Sequence, residues 1–232
     1  MGRRALRKID PELDLSRHLR AADDLPAAFG AGALFGRNAP LEVEVGSGKG
    51  LFLAGASRAF PDHDFVGIEV AQKYARFAAA KLARQASTNA LLIHGDALAL
   101  FRQWFPAASL AAVHVYFPDP WWKKRHKKRR VLNEDFLRDV QRTLAVGGRL
   151  HFWTDVEEYF QTTLALVAAV TTLAGPLPVT ESPAEHDLDY RTHFERRTRR
   201  NLQSVYRAEF ERRRPVTSAD LPADSARSPG PA

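Results

Sequence analysis

Along residues 41–45, Leu41, Val43 and Val45 alternate with Glu42 and Glu44, a period-2 pattern that predicts a strand. Glycines follow at every second position, Gly46, Gly48 and Gly50, and the apolar run 51–54 then reads as a helix start. The same succession recurs downstream. Residues 65–68 predict a second strand ending in Glu69, and residues 71–84 an alanine-rich amphipathic helix. Residues 91–93 predict a third strand, followed by His94, Gly95 and Asp96. After a further helix, residues 110–117 predict a fourth strand, which leads into Pro118, Asp119 and Pro120. Residues 134–144 predict a helix closed by Gly147 and Gly148 as C-cap and turn. A fifth strand, 149–153, ends at Thr154 and Asp155.

Beyond Val156 a helix is expected to about residue 173, then a linker broken by Pro176, Pro178 and Pro183. The polar stretch 184–201 is not expected to pack as core, and residues 204–210 alternate as a last strand. Strands joined by crossover-length helices predict an α/β fold, a parallel sheet with helices on both faces. Residues 1–38 read as a loosely organised N-terminal extension that crosses onto a main domain, 39–214, and residues 215–232 as a disordered tail.

Each of the five strands ends in a carboxylate or a glycine turn: Glu44 and Gly46, Glu69, Asp96, Asp119, Asp155. In open parallel sheets, ligands bind outside those ends. Glu69 follows Gly46 by 23 residues, about where a Rossmann-like fold sets a carboxylate on ribose hydroxyls, although a surface residue at a strand end reads the same way. A phosphate-cradling P-loop is excluded, because Val43 and Gly50 stand where it needs glycine and Ser or Thr. The spacing Gly46-x-Gly48-x-Gly50 also misses the G-x-G-x-x-G of dinucleotide oxidoreductases.

Charge changes this picture most at one place. The chain has 34 Lys and Arg against 27 Asp and Glu, a formal +7, and positions 123–130 (KKRHKKRR) hold seven of the basic residues. The remainder is formally neutral. Concentrated charge costs self-repulsion and supplies no core, whereas a polyanion releases counterions on meeting it. A solvated loop with Trp121 and Trp122 as packing residues is the competing reading. Pro118 and Pro120 exclude a central strand or helix interior, so Asp119 is held at the strand's exit.

Composition narrows the rest. A hydrophobic content of 45% suffices for a sizeable core, and with no cysteine there is neither disulfide nor thiolate metal site. No apolar run approaches the roughly 20 residues that span a bilayer. The charged N-terminus lacks the apolar region of a secretory signal, and Leu6 stands where myristoylation wants Ser or Thr. A cytoplasmic protein is expected, without membrane or metal.

The assembled motifs EVGSGKG (44–50), GIEV (67–70), GDA (95–97), FPDPWWKKRHKKRR (117–130), TD (154–155) and THFE (192–195) resemble the bacterial tRNA (guanine-N7)-methyltransferases, in order and interval, across about residues 40–212. The resemblance implies a Rossmann-like class I methyltransferase domain over 39–214, with a mostly parallel seven-stranded sheet. It also implies S-adenosyl-L-methionine as cofactor, tRNA as partner, a variable-loop guanine as target, and a monomer or homodimer. By motif position, Glu44, Gly46, Gly48, Glu69, Asp96 and Asp119 would serve the cofactor. Lys123, Asp155, Thr192, His193, Phe194 and Glu195 would serve the substrate base. Arg125, His126, Lys127, Lys128, Arg129 and Arg130 would contact RNA. Asp119 is the first candidate for holding the reacting face of guanine, with cofactor binding as its alternative duty. Trp122 departs from the family, which often has Pro or His there. Two rivals are a tRNA-binding module with a degenerate cofactor pocket and a methyltransferase of exocyclic amines; the latter's D-P-P-[YFW] motif is one proline short here.

Overall fold

The computed structural model describes residues 6–26, 31–179 and 191–215. Among the described residues, eight strands form one sheet: β1 (Leu19–Ala21), β2 (Leu41–Val45), β3 (Asp64–Glu69), β4 (Ala90–His94), β5 (Leu110–Tyr116), β6 (Leu144–Thr154), β7 (Ala174–Leu177) and β8 (Tyr206–Glu211). Their order is β1-β4-β3-β2-β5-β6-β8-β7. The pairs from β1 through β6 are parallel, and β8 runs antiparallel to both β6 and β7. Between and around them lie α1 (Ala31–Phe35), α2 (Leu51–Ala59), α3 (Gln72–Arg84), α4 (Ala97–Gln103), α5 (Glu134–Thr143), α6 (Glu157–Val170) and α7 (His193–Arg200).

Helices cover both faces, which is why β3 is buried at every position instead of alternating. On one face Val66, Phe101, Phe136, Leu137, Leu150 and Tyr159 join the strands to α4, α5 and α6. On the other, Phe52, Leu53, Phe65, Ala78 and Leu82 join them to α2 and α3, with Tyr116 and Trp153 at the margin. Each fully buried Leu or Phe contributes roughly 1.5–3 kcal/mol. Three helices start at a side-chain acceptor, α4 at Asp96, α5 at Asn133 and α7 at Thr192; Asn133 accepts from Phe136 N–H at 3.0 Å.

The expected fold is present, with four local differences. The sheet has eight strands, because β1 lies inside the N-terminal extension; three residues are too few to show a period. The proline-broken linker contains edge strand β7, where Pro176 is tolerated. Gly147 and Gly148 are not a helix C-cap. The helix ends at Thr143 with Leu144 as its C-cap, and the glycines continue the sheet: Gly147 N–H donates to the Arg212 carbonyl at 2.7 Å and Gly148 O accepts from Arg212 N–H at 2.9 Å. The polar stretch around 192–201 does pack: Glu195 and Thr198 in α7 are 2% and 0% exposed. The expected tail from 216 onward lies outside the described residues.

Candidate functional site

Parallel pairing brings the carboxyl ends of five strands to one edge, in the order Asp96, Glu69, Gly46, Asp119, Asp155. At about 4.8 Å per strand, the row spans about 19 Å. Strand order reverses at β2, flanked by β3 and β5, the place where such sheets open a crevice.

The β2–β4 half is held by backbone groups. Glu69 accepts from Gly48 N–H and Ala71 N–H, each at 2.8 Å, which pins the glycine turn to the end of β3. Gly50 must be glycine: its φ is +64°, and a Cβ there would lie 2.6 Å from that of Ala78 on α3. Asp96 is exposed and caps α4 through Leu98 N–H at 2.9 Å. Glu44 is buried, and one of its carboxylate oxygens has no hydrogen-bond partner among the described residues. Burial pushes its carboxyl up to about 8, a contact with Ser47 opposes this, and the charge of Glu69 adds to it. Lys81 donates to the Lys49 carbonyl at 2.8 Å, and burial brings its ammonium down to about 8. Val70, next to Glu69, is 73% exposed, an apolar side chain facing no core.

The β5–β6 half is held by side chains. After Phe117 N–H closes the sheet onto Trp153 O at 2.8 Å, the chain bends at Phe117 (φ +49°) and Trp121 (φ +46°), a conformation costing a non-glycine residue roughly 1–2 kcal/mol. Asp119 lies between the bends, exposed and without a hydrogen bond among the described residues. Arg130 holds this loop. Its guanidinium donates to Pro120 O at 2.8 Å, Glu158 at 2.6 Å and Thr162 at 3.3 Å, and covers the Tyr159 ring at 4.3 Å. Arg130 is therefore no part of an exposed RNA-facing run: at 7% exposure it is a buried brace. Lys123, Arg125 and Arg129 are exposed on or beside the 3-10 helix Lys124–Arg129. Arg129 stacks over Trp121 at 5.2 Å, His126 meets that ring edge-on at 5.8 Å, and Trp122 is 69% exposed. The side chains of Lys127, Lys128 and His193 lie outside the described residues. Asp155 is exposed at the end of β6.

Thr192 and Glu195 cap the start of α7 in a variant of the capping box, the return bond reaching the residue before the N-cap. The threonine hydroxyl oxygen accepts from Glu195 N–H at 3.0 Å, and the Glu195 carboxylate accepts from Arg191 N–H at 2.6 Å. Glu195, expected to touch substrate, is instead buried and ion-paired with Arg199 at 3.3 Å and Arg207 at 3.4 Å. Phe194 remains half-exposed, parallel to Phe117 at 6.1 Å and beneath the Arg197 guanidinium at 4.6 Å.

A polar relay reaches this segment from under the sheet. Arg191 lies over Trp153 at 5.0 Å and donates to the Tyr116 oxygen at 2.9 Å. Tyr116 meets His114 Nδ1 at 2.9 Å, and His114 Nε2 meets Glu42 at 2.6 Å. Burial lowers His114 to about 4, so the ring is neutral. Burial works against the charge of Glu42 too, but the hydrogen bonds from His114 and His63 outweigh it and hold the carboxyl below its ordinary value. The tautomer follows from the network: Nε2–H donates to Glu42, Nδ1 accepts from Tyr116, and every donor has an acceptor. Sequence reasoning missed Glu42, His114, Tyr116, Arg191 and Val70. The signal for the first three was a polar alternation within otherwise buried strands, since Glu44 pairs with His114 across β2 and β5. Among the described residues, no His, Asp and Glu cluster suits a metal ion, and no helix is long and apolar enough to cross a membrane.

A family model described as a putative methyltransferase matches residues 38–208. The chain is 51% identical, over 92% of its length and 81% of the relative's, to the tRNA (guanine-N(7)-)-methyltransferase of Rhodopirellula baltica. It is 37% identical, over 82% of each chain, to the enzyme of that name from Methylococcus capsulatus. Two solved structures share the fold. The antibiotic-resistance methyltransferase Kmr aligns with a TM-score of 0.52 at 16% identity, covering 77% of this chain and 89% of that one. The aminoglycoside resistance methyltransferase NpmB1 gives 0.50 at 18%, covering 75% and 87%.

Proposed function

Because the chain belongs to the tRNA (guanine-N(7)-)-methyltransferase family, class I enzymes that use S-adenosylmethionine, we propose that it methylates N7 of the variable-loop guanine, position 46, of tRNA. The observation that carries this reading is the adjacency, within one loop, of the unpartnered Asp119 and the exposed cations Lys123, Arg125 and Arg129.

The cofactor half suits S-adenosylmethionine. The unpartnered buried oxygen of Glu44 suits an ammonium, each Glu69 oxygen keeps a lone pair for a ribose hydroxyl, and exposed Asp96 can accept from the adenine amino group. Gly46 and Gly48 admit close backbone approach, and Val70 offers an apolar face to the purine. When bound, the cofactor supplies an electrophilic methyl on a sulfonium. Guanine N7 has a lone pair and no proton to lose, so the protein's task is positioning and charge stabilisation.

Asp119 holds the reacting face of guanine and favours the positive charge that develops on it. Asp155 accepts from the N1–H and N2–H₂ edge, which adenine lacks. Thr192, His193 and Phe194 border the base, and Phe194 with Phe117 presents a ring face. Glu195 acts indirectly by fixing that segment. Lys123, Arg125, His126, Lys127, Lys128 and Arg129 grip phosphates, while Arg130 sets the loop that carries them. The enzyme works in the cytoplasm, where its tRNA substrate is.

Incubation of unmodified tRNA with labelled S-adenosylmethionine should create an aniline-sensitive site at that guanine. Label on an exocyclic amine, or tRNA binding with no transfer, would overturn the reading. In the same assay Asp119→Asn should lower turnover by about a hundredfold, the scale of one lost preorganised electrostatic contact. Full activity of that variant would remove Asp119 from its role.

A further inference from the structure

The N-terminal extension ends its strand at the cofactor half of the cleft. In β1, Ala21 pairs with His94, so the chain leaves the sheet beside Gly95 and Asp96. There residues Ala22–Asp24 turn as one 3-10 helix. The approach to Gly95 is close: a Cβ on that glycine would stand 2.6 Å from the Cβ of Ala22, while the next atoms of Ala22 are 3.8 and 3.9 Å away. Gly95 N–H also donates to the Glu69 carbonyl at 3.2 Å, which ties together the exits of β3 and β4.

The segment is fastened on both sides of this contact. Before it, His18 O accepts from Leu92 N–H at 2.8 Å and the His18 ring meets Ser87 O at 2.8 Å. After it, the Trp104 indole at the end of α4 donates to Pro26 O at 3.0 Å, and Ala22 and Leu25 pack against the core. A strand edge with open backbone groups would otherwise lie beside the end of β4.

We propose that residues Ala22–Asp24 are the outer wall of the pocket for the adenine of S-adenosylmethionine, and that position 95 is glycine because this wall comes so near. The proposal rests on the reading that Glu69 and Asp96 hold the adenosine. In sheet order from β3 outward, the segments that would bound it are Val70, then Gly95 to Ala97, then the turn after β1. The extension is then a binding element for the cofactor.

The test uses the full chain and calorimetric titration with S-adenosylmethionine. Gly95→Ala should weaken binding by about tenfold, the scale of one overpacked contact, and leave tRNA affinity unchanged. Adding Ala22→Gly removes the atom struck, so the double variant should return to within about twofold of the parent. A Gly95→Ala protein that binds like the parent, or a double variant no better than Gly95→Ala, overturns the wall; the latter would mean that the new methyl strikes the cofactor itself. Trp104→Phe loosens the extension without adding bulk and should weaken binding a few-fold, at about 1 kcal/mol per hydrogen bond. If Gly95→Ala does not fold, unchanged binding by Trp104→Phe overturns the proposal. If the parent protein itself does not bind S-adenosylmethionine, the adenosine site is what falls.

Discussion

At the β3 and β4 end of the cleft, carboxylates are held by main chain: Glu69 by Gly48 and Ala71, Asp96 by Leu98. At the β5, β6 and α7 end the roles reverse, and side chains hold main chain: Arg130 grips Pro120 O and Glu195 grips Arg191 N–H. Backbone donors come with the strand–turn–helix units themselves, and parallel pairing of β2 with β3 brings the Gly48 turn to Glu69 without any buried charge partner. Side-chain braces depend on buried charge, which is costly to break and often neutral to replace. The first end is thus set mainly by the sheet and its turns, with Lys81 on the Lys49 carbonyl as a side-chain brace, whereas the second can be lost while the sheet stands. That suits a small ligand with fixed shape at one end and a large polyanion at the other.

The strongest way to break this contrast is Glu195→Ala. It removes the carboxylate shared by Arg199 and Arg207, whose side chains are 19% and 9% exposed. The expected loss is about 3 kcal/mol, roughly 6–12 °C in the melting temperature. Methylation of tRNA should fall with it, while affinity for S-adenosylmethionine, measured below the new transition, should hold. A parallel fall in cofactor affinity would show that the two ends are one unit.

Acid and base should affect the cofactor end next. The folded carboxyl of Glu44 keeps its proton to about 8, against an ordinary value near 4.5. The folded state binds the extra proton, so the free protein loses stability as pH rises through that window. A cationic ligand favours the carboxylate, so its affinity rises over the same interval. Titration calorimetry should find cofactor affinity increasing between pH 6 and 8, by up to about tenfold per unit, then levelling. Glu44→Gln should flatten the profile. A flat profile in the parent would separate Glu44 from any cationic group of the ligand.

The contrast also explains what the sequence made legible. Period-2 strands, the glycine turn and the carboxylates just beyond them follow local rules, so Glu44, Glu69, Asp96, Asp119 and Asp155 could be set on one edge before any coordinates. Arg130 and Glu195 could not be assigned, because a charged residue reads as exposed until its partners are known, and these lie 28 and 12 residues away at Glu158 and Arg207. Within that segment the T-x-x-E of a capping box was a local sign of the helix start. Strand β1 was too short for a period, and Gly147 with Gly148 imitated a helix end while serving the sheet.

A finer separation comes from salt. Arg125 and Arg129 are exposed, so replacing both with Gln should reduce the slope of log affinity for tRNA against log salt by about 2, near one per phosphate contact. Arg130→Met should leave the slope unchanged while disturbing the loop, since its guanidinium is committed to Pro120, Thr162 and Glu158. An equal change of slope in Arg130→Met would return Arg130 to the interface.

The smallest effect should come from the relay beneath the sheet. Tyr116→Phe keeps the ring against Phe52 at 5.2 Å and Trp153 at 5.0 Å, and deletes only the hydroxyl. Arg191 then loses an acceptor and His114 a donor, each change worth about 1 kcal/mol. Arg191 leads directly into Thr192, so the loss should raise the KM for tRNA by a few-fold, with kcat and cofactor affinity nearly unchanged. A merely structural tyrosine would lower the melting temperature without moving KM. If KM stays fixed, Arg191 does not position the α7 segment. If cofactor affinity moves as well, the relay joins the two ends of the cleft, because its far terminus, Glu42, lies two residues from Glu44 on the same face of β2.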